Sequence, residues 1–161
     1  GLEAKLLIIG SGPLEAELRR LVENLGLEDR VIFEKVPREE SVGRYLQACD
    51  LLALPSVSRT EAYGLSLLEA MACGKPVIAT ELGTGTSFVC GHEKNGLVVP
   101  PGDVQALHGA MKRLLSDPAL SRRMGEEGRR RFKRSFTVEA MAKSFVSLYG
   151  KLLLSRHAPG I

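Results

Sequence analysis

The sequence predicts an α/β protein in which helices cover both faces of a parallel sheet. Short apolar runs alternate with longer amphipathic segments along the whole chain. The apolar runs are continuous rather than alternating, as expected for strands that are buried on both faces. Glycine- and proline-rich turns separate the runs from the helical segments, which is typical of repeated strand–helix units.

Five apolar runs are predicted strands, and most of the segments between and after them are predicted helices. The strands cover residues 5–9, 31–36, 51–54, 77–80 and 97–99. The helices cover residues 14–25, 41–49, 64–73, 103–115, 118–133 and about 137–154, with Thr137 as the N-cap of the last. Loops 10–13, 55–64 and 81–87 each follow a strand. Because parallel strands end at one edge of a sheet, we expect these loops to share a ligand-binding rim.

Composition narrows the class of protein. The chain has 161 residues, of which 44% are hydrophobic and 25% charged, as in a soluble globular domain. No apolar run reaches the roughly 20 residues of a membrane-spanning helix. Cys49, Cys73 and Cys90 are odd in number and widely spaced, which predicts reduced thiols in a cytoplasmic protein and no metal site. The net charge of +3 is too small to predict nucleic-acid binding.

The segment from Glu61 to Glu69 is the best candidate for a functional site. Gly64 permits close approach of the backbone to a ligand, and the helix that begins there offers free N–H groups and a positive dipole end to a diphosphate. Carboxylates on either side suit the hydroxyl groups of a sugar or ribose. On spacing alone, however, a solvated loop acid at Glu61 and a structural helix acid at Glu69 are the commoner interpretation.

Several short motifs favour the functional interpretation of Glu61 and Glu69 over the structural one, because the motifs occur together and in a fixed order. Glu61 and Glu69 form an E-x7-E pattern. Around it lie Gly10-Ser-Gly-Pro13, Asp50-Leu-Leu-Ala-Leu-Pro-Ser56, Glu69-Ala-Met-Ala-Cys-Gly-Lys-Pro-Val77 and Asn95-Gly-Leu-Val-Val-Pro-Pro-Gly-Asp103. In these motifs the chain resembles family 4 and related retaining GT-B glycosyltransferases over nearly its whole length. The resemblance implies a Rossmann-like sheet, with residues 1–134 as the nucleotide-sugar-binding domain. Residues 135–161 would form a helix that crosses to the N-terminal domain in relatives.

The resemblance also implies a reaction and a set of site residues. The full protein would transfer a hexosyl group from a nucleoside diphosphate sugar with retained configuration, and it would need no metal or other cofactor. Glu61 would be the catalytic residue at the donor hexose, and Glu69 would hold the ribose. Amides around Tyr63, Gly64 and Leu65 would face the sugar and phosphates. Val36 and Pro37 would lie near the base, and Gly12 would line the nucleotide cleft.

The sequence departs from the family pattern at three places. The loop at residues 83–89 lacks the usual glutamate, so Thr84, Thr86 and Ser87 are candidates to offer hydroxyls instead. A strand–helix unit that normally precedes Lys5 is missing, and in the family that strand is central. The sheet must then lose its middle, close the gap or borrow a strand from another copy, which predicts association. The N-terminal GT-B domain is also missing, so we expect no transfer by this chain alone.

Other features have two interpretations. The basic residues of 122–134 favour a solvated helix with Glu126 and Glu127 as partners, and contact with an anionic membrane surface is the alternative. The three histidines, His92, His108 and His157, are expected to be structural or exposed, and Lys75 to belong to a turn. Two other function classes remain open: a GT-B nucleotide-sugar epimerase and a non-catalytic nucleotide-sugar-binding module.

Overall fold

The computed structural model describes residues 3–35 and 39–156, and within them the chain has five strands and seven helices. The strands are β1 (Leu6–Ile9), β2 (Val31–Glu34), β3 (Leu52–Leu54), β4 (Val77–Thr80) and β5 (Gly96–Val99). The helices are α1 (Glu15–Asn24), α2 (Glu39–Ala48), α3 (Leu65–Ala72), α4 (Gly85–Val89), α5 (Val104–Ser116), α6 (Pro118–Ser135) and α7 (Val138–Arg156). Each predicted strand and helix is confirmed to within a few residues, while α4 lies where the sequence predicted only a loop.

Helix starts follow the side chains that cap them. Asp103 and Asp117 accept hydrogen bonds from the N–H groups of Ala106 and Leu120, at 2.8 and 2.9 Å. The Thr137 hydroxyl accepts from Ala140 N–H at 3.2 Å, which confirms the predicted N-cap of α7. These side chains satisfy donors that a helix cannot pair internally.

The strands form two parallel sheets, within two compact units of the chain, Gly1–Tyr45 and Leu46–Ile161. In the first unit β1 pairs with β2, and in the second β4 lies between β3 and β5. No strand of the described residues pairs across the two sheets. The three arrangements that the sequence left open for the sheet stay predictions.

The first unit buries little apolar surface. The helix α1 has no buried residue, although leucines recur along one of its faces. Leu14, Leu21 and Leu25 each expose half or more of their surface, and Leu6 of β1 is 48% exposed. A two-stranded sheet offers a face too narrow to cover such a helix. The predicted amphipathic pattern is present, but within the described residues its apolar face is not buried.

The core lies in the second unit, on both faces of β4. All four residues of β4 are buried. Ile78 belongs to a cluster with residues of β5, α5 and α6, including Leu97, Leu114 and Met124. Successive strand residues point to opposite faces, so Val77 and Ala79 face the other side, where α3 and α4 contact the strand. This central strand fixes the loops at its carboxyl end.

The last helix, α7, packs little of its surface. It contacts α6 near its start, and each residue from Met141 to Leu153 is exposed. Its exposed apolar stripe includes Met141, Phe145, Leu148, Tyr149 and Leu152. Within the described residues, no helix is both long and apolar enough to cross a membrane.

Gly125 sets how closely α6 approaches the turn that follows α3. A Cβ at this position would lie 2.0 Å from the carbonyl oxygen of Gly74. We predict that Gly125→Ala lowers the free energy of unfolding by about 1–3 kcal/mol, because the helix must move to admit the methyl group. Urea unfolding followed by far-UV circular dichroism measures this change, since the chain has no tryptophan.

Gly109→Ala is the matched control for that substitution. Gly109 lies inside α5, and a Cβ there would meet no atom within 4 Å. Its replacement by alanine should stabilise the protein by about 0.5–1 kcal/mol through helix propensity alone. Equal effects of the two substitutions would contradict the packing of α6 on the turn.

The reactivity of the buried Cys90 thiol reports how tightly the end of α4 packs on the sheet. Its sulfur lies 3.5 Å from Leu97 O, and burial raises the pKa of its thiol to about 12. Because the thiolate is the reactive form, we predict that native protein at pH 8 resists N-ethylmaleimide at Cys90 until urea unfolds it. Peptide mapping by mass spectrometry measures the labelling, with the partly exposed Cys73 as internal reference. Labelling of native Cys90 as fast as Cys73 would show that this packing is loose.

Candidate functional site

The start of α3 has a backbone conformation that few residues other than glycine adopt. Gly64 has φ 75° and ψ 64°, in the left-handed region, and it is buried. A Cβ here would lie 2.7 Å from Leu67 Cδ1 and 3.1 Å from Leu54 Cδ2. The sequence therefore needs glycine at this point, both for the backbone turn and for the packing of the loop against β3.

Glu61 and Gly64 are in direct contact. The Gly64 N–H donates a hydrogen bond of 2.9 Å to Glu61 Oε1, and this carboxylate is only partly exposed. The other oxygen, Oε2, has no hydrogen-bond partner within the described residues. One side of the carboxylate thus holds the start of the helix, while the other side is open to a ligand.

The first amides of α3 are available to an anion. Leu67 N–H bonds back to Gly64 O at 2.9 Å, whereas Leu65 and Ser66 have no acceptor for their N–H groups in the part of the chain that is described. Leu65 is 69% exposed, so this end of the helix faces solvent. Free amides and the positive dipole end together favour binding of a phosphate or another anion.

Glu69 lies one turn further along α3 and is exposed. Its carboxylate has no hydrogen bond or ion pair among the described residues, and its backbone carbonyl accepts from Cys73 N–H at 3.1 Å. Helical side chains lean toward the N-terminus of their helix. The carboxylate is without a partner in the described part of the chain, one helical turn from the first amides of α3.

The remaining predicted site residues have different surroundings. The exposed Tyr63 ring packs edge-to-face on Phe136, with 6.4 Å between ring centroids. Gly12 lies in the first unit, in the exposed turn after β1, where its carbonyl accepts from Glu15 N–H at 3.1 Å. Val36 and Pro37 lie outside the described residues. The assignments of Gly12, Val36 and Pro37 to a nucleotide cleft stay predictions.

Two of the three hydroxyl groups after β4 turn into the protein, and the third, that of Ser87, bonds to an exposed glutamate. Thr84 donates to Glu61 O at 2.9 Å, Thr86 to Thr80 O at 3.2 Å, and Ser87 to Glu81 Oε1 at 2.9 Å. Each hydroxyl has a single proton, and each proton is used within the protein. These hydroxyls hold the loop, and their role toward a phosphate or sugar stays a prediction.

The sequence did not reveal this structural role, because the partners of Thr84 and Thr86 lie on other segments of the chain. The only sequence signal was the repeated Gly-Thr pattern at residues 83–86, which marks a tight turn with hydroxyls.

A cavity of about 200 Å³ opens at the carboxyl ends of β3–β5, lined mainly by apolar residues such as Pro55, Val99 and Leu107. It contains none of the predicted site residues.

Lys75 and His92, which the sequence predicted to be structural or exposed, make hydrogen bonds within the protein. The ammonium group of Lys75 donates to Gln47 O at 2.8 Å, which supports a role in the turn. His92 Nδ1 accepts from Val98 N–H at 3.0 Å, and His108 is exposed, while His157 lies outside the described residues. No group of three metal-ligating side chains occurs in the described ranges.

Two of the basic residues of α6, Arg130 and Arg131, have partners in the structure. Arg130 pairs with Glu127 at 3.1 Å, as the solvated-helix interpretation predicted. Arg131 instead lies over the Phe88 and Phe136 rings, at 5.1 and 5.5 Å from their centroids, and donates to Phe88 O at 2.6 Å. Contact with a membrane stays an untested alternative.

Two curated relatives of the chain are named as a mannosyltransferase and a rhamnosyltransferase. O-antigen chain mannosyltransferase C of Escherichia coli is 42% identical over 94% of the chain, and D-rhamnosyltransferase WbpZ of Pseudomonas aeruginosa is 39% identical over 85%. The chain covers 40% and 36% of these two proteins. It therefore spans about two fifths of the length of the curated relatives it matches.

Solved structures show the same fold. Sucrose-phosphate synthase from Thermosynechococcus elongatus is 40% identical, with a TM-score of 0.79 over 94% of this chain and 39% of that one. Anabaena HepE, solved in complex with UDP-glucose, is 25% identical with a TM-score of 0.82, over 94% of this chain and 42% of that one. The fold is thus the α/β architecture of GT-B C-terminal domains, with parallel strands and helices on both sides.

The family model described as glycosyl transferases group 1 matches residues 1–131. That match covers β1 to α6 and includes the whole E-x7-E segment around Gly64. The chain belongs to the glycosyl transferases group 1 family.

Proposed function

We propose that this chain is the donor-binding part of a retaining glycosyltransferase that transfers a hexosyl group from a nucleoside diphosphate sugar. The observation that carries the proposal is the start of α3. There the sequence places two amides without an acceptor between the Glu61 carboxylate, which has one oxygen bonded, and the Glu69 carboxylate, which has none. A nucleoside diphosphate sugar has the matching order of groups, with hydroxyls at both ends and negative charge in the middle.

Each residue has a defined part in this proposal. The Leu65 and Ser66 amides bind the diphosphate, and the helix dipole stabilises the charge that develops as the sugar–phosphate bond breaks. Glu61 Oε2 accepts hydrogen bonds from hexose hydroxyls, and Glu69 accepts from the ribose hydroxyls. Family membership and the nucleotide sugar bound in HepE support the same assignment.

The acceptor side of the reaction belongs to a second domain in this proposal. The relatives named above are more than twice as long as the chain, which leaves room for such a domain in them. Residues 135–161, which include α7, would pack against that domain through the exposed apolar stripe. No cofactor enters the proposed reaction.

Glu69→Ala tests whether the carboxylate on α3 binds a nucleotide. Isothermal titration calorimetry of the wild-type chain with UDP, GDP and ADP first identifies the nucleotide that binds. For that nucleotide we predict an affinity loss of about tenfold or more, since a hydrogen bond to a charged group contributes about 1.5–3 kcal/mol.

Glu126→Ala is the matched control, because Glu126 is also an exposed helical glutamate but lies on α6. It should leave the affinity unchanged. A wild-type chain that binds none of the three nucleotides contradicts the proposed function, and equal affinity of the two variants contradicts the role of Glu69.

Gly64→Ala tests whether the amides depend on the left-handed turn. The methyl group would add a clash with Leu67 to a backbone penalty of about 1–2 kcal/mol. We predict a lower midpoint of thermal unfolding, measured by circular dichroism, and at least a tenfold weaker nucleotide affinity.

Gly102→Ala separates the two effects. Gly102 has the same φ of 75°, but a Cβ there meets no atom within 4 Å. This variant should show the backbone penalty alone and keep its nucleotide affinity. A Gly64→Ala variant no more impaired than Gly102→Ala would show that the close packing around Gly64 is unimportant for the site.

A further inference from the structure

We propose that Thr84 is a positioning residue for Glu61, and that it sets how well the chain distinguishes a nucleoside diphosphate sugar from the nucleoside diphosphate alone. This inference rests on the proposed function, in which Glu61 contacts the hexose and Glu69 contacts the ribose. It assigns to the loop after β4 a part in sugar recognition that acts through the neighbouring loop.

Two hydrogen bonds join the loop that carries Glu61 to the segment that starts α4. Thr84 Oγ1 donates to Glu61 O at 2.9 Å, and Gly85 N–H donates to Ala62 O at 2.8 Å. The two donors, Thr84 and Gly85, are consecutive in the chain, and so are the residues of the two acceptors, Glu61 and Ala62. Two adjacent bonds of this kind fix the direction of a backbone as well as its distance.

The two segments approach as closely as their backbones allow. A Cβ at Gly85 would lie 2.5 Å from Tyr63 Cδ2 and 2.8 Å from Ala62 O. Residue 85 must therefore lack a side chain for Thr84 to reach the Glu61 carbonyl. The loop of Glu61 has little freedom to shift toward the α4 segment.

The segment that carries Thr84 is held at the end of β4 by a neighbouring threonine. The hydroxyl oxygen of Thr84 lies 3.3 Å from that of Thr86, which is 1% exposed and donates to Thr80 O. Thr80, the last residue of β4, donates its own hydroxyl to Ser56 O at 2.5 Å. Thr80 thus holds the loop of Glu61 at Ser56 and, through Thr86, the segment that carries Thr84.

The consequence concerns the free oxygen of the Glu61 carboxylate. Oε1 is fixed by Gly64 N–H, so the position of Oε2 depends on where the Glu61 backbone lies. Loss of the Thr84 hydroxyl removes the donor to the Glu61 carbonyl, and the loop can then relax away from its position. The Glu69 carboxylate lies on α3 and does not depend on this bond.

Thr84→Val and Thr84→Ser test the proposal as a matched pair. Valine keeps the shape of threonine without the hydroxyl, whereas serine keeps the hydroxyl without the methyl group. Titration calorimetry gives the Kd of each variant for UDP, GDP and ADP and for UDP-glucose, GDP-mannose and ADP-glucose. The readout is the ratio of the Kd for the nucleotide to the Kd for its sugar derivative.

We expect Thr84→Val to lower this ratio about fivefold, as for the loss of one hydrogen bond, with the affinity for the bare nucleotide within about twofold of wild type. Thr84→Ser should restore the wild-type ratio. In a Glu61→Ala background, Thr84→Val should have no further effect on the ratio. If the valine variant fails to fold, Thr84→Ala removes the hydroxyl without adding a second methyl group and takes its place.

Two results separate this inference from the proposed function. A wild-type chain that binds none of the six compounds overturns both. A wild-type chain that prefers the sugar nucleotide, with the same ratio in Thr84→Val, overturns the role of Thr84 alone. Equal weakening of nucleotide and sugar nucleotide, or a serine variant that behaves like the valine variant, also overturns it.

Discussion

The contact between the Glu61 carboxylate and the Gly64 N–H is the interaction on which the site depends. It satisfies a donor just before α3 and fixes the place where the helix begins. Gly64 can make this contact because its left-handed backbone turns the chain sharply against β3. The next two amides remain free as a result. A single acid thus stabilises the helix start and keeps one oxygen for other partners.

The parallel sheet explains why two loops that are distant in sequence support each other. The segments after β3 and β4 leave the same edge of the sheet, because the two strands are neighbours and run in one direction. Thr84 and Glu61 are separated by 23 positions, yet they share a hydrogen bond. The loops of the proposed donor site are therefore anchored to β4, a strand whose four residues are all buried in the core.

The two units of the chain differ in how much they bury. In Leu46–Ile161, helices cover β4 on both faces, and a continuous apolar core results. In Gly1–Tyr45, one helix and two strands leave most of their leucines partly exposed. The sequence pattern of α1 is that of a helix with a partner, because an apolar face of this size is costly to leave in water.

The sequence by itself determined the secondary-structure elements and the glycine turn before α3. Apolar runs, the capping residue Thr137 and Gly64 are local signals that act through a few neighbouring residues. Only the tertiary structure decided that the strands form two sheets, that residues 85–89 form a helix, and that the hydroxyls of Thr84 and Thr86 turn inward. The physical reason is that a hydroxyl donates to whichever acceptor the fold brings within reach. The pairing of the strands determines which acceptor lies near each hydroxyl, and a local sequence pattern does not show that pairing.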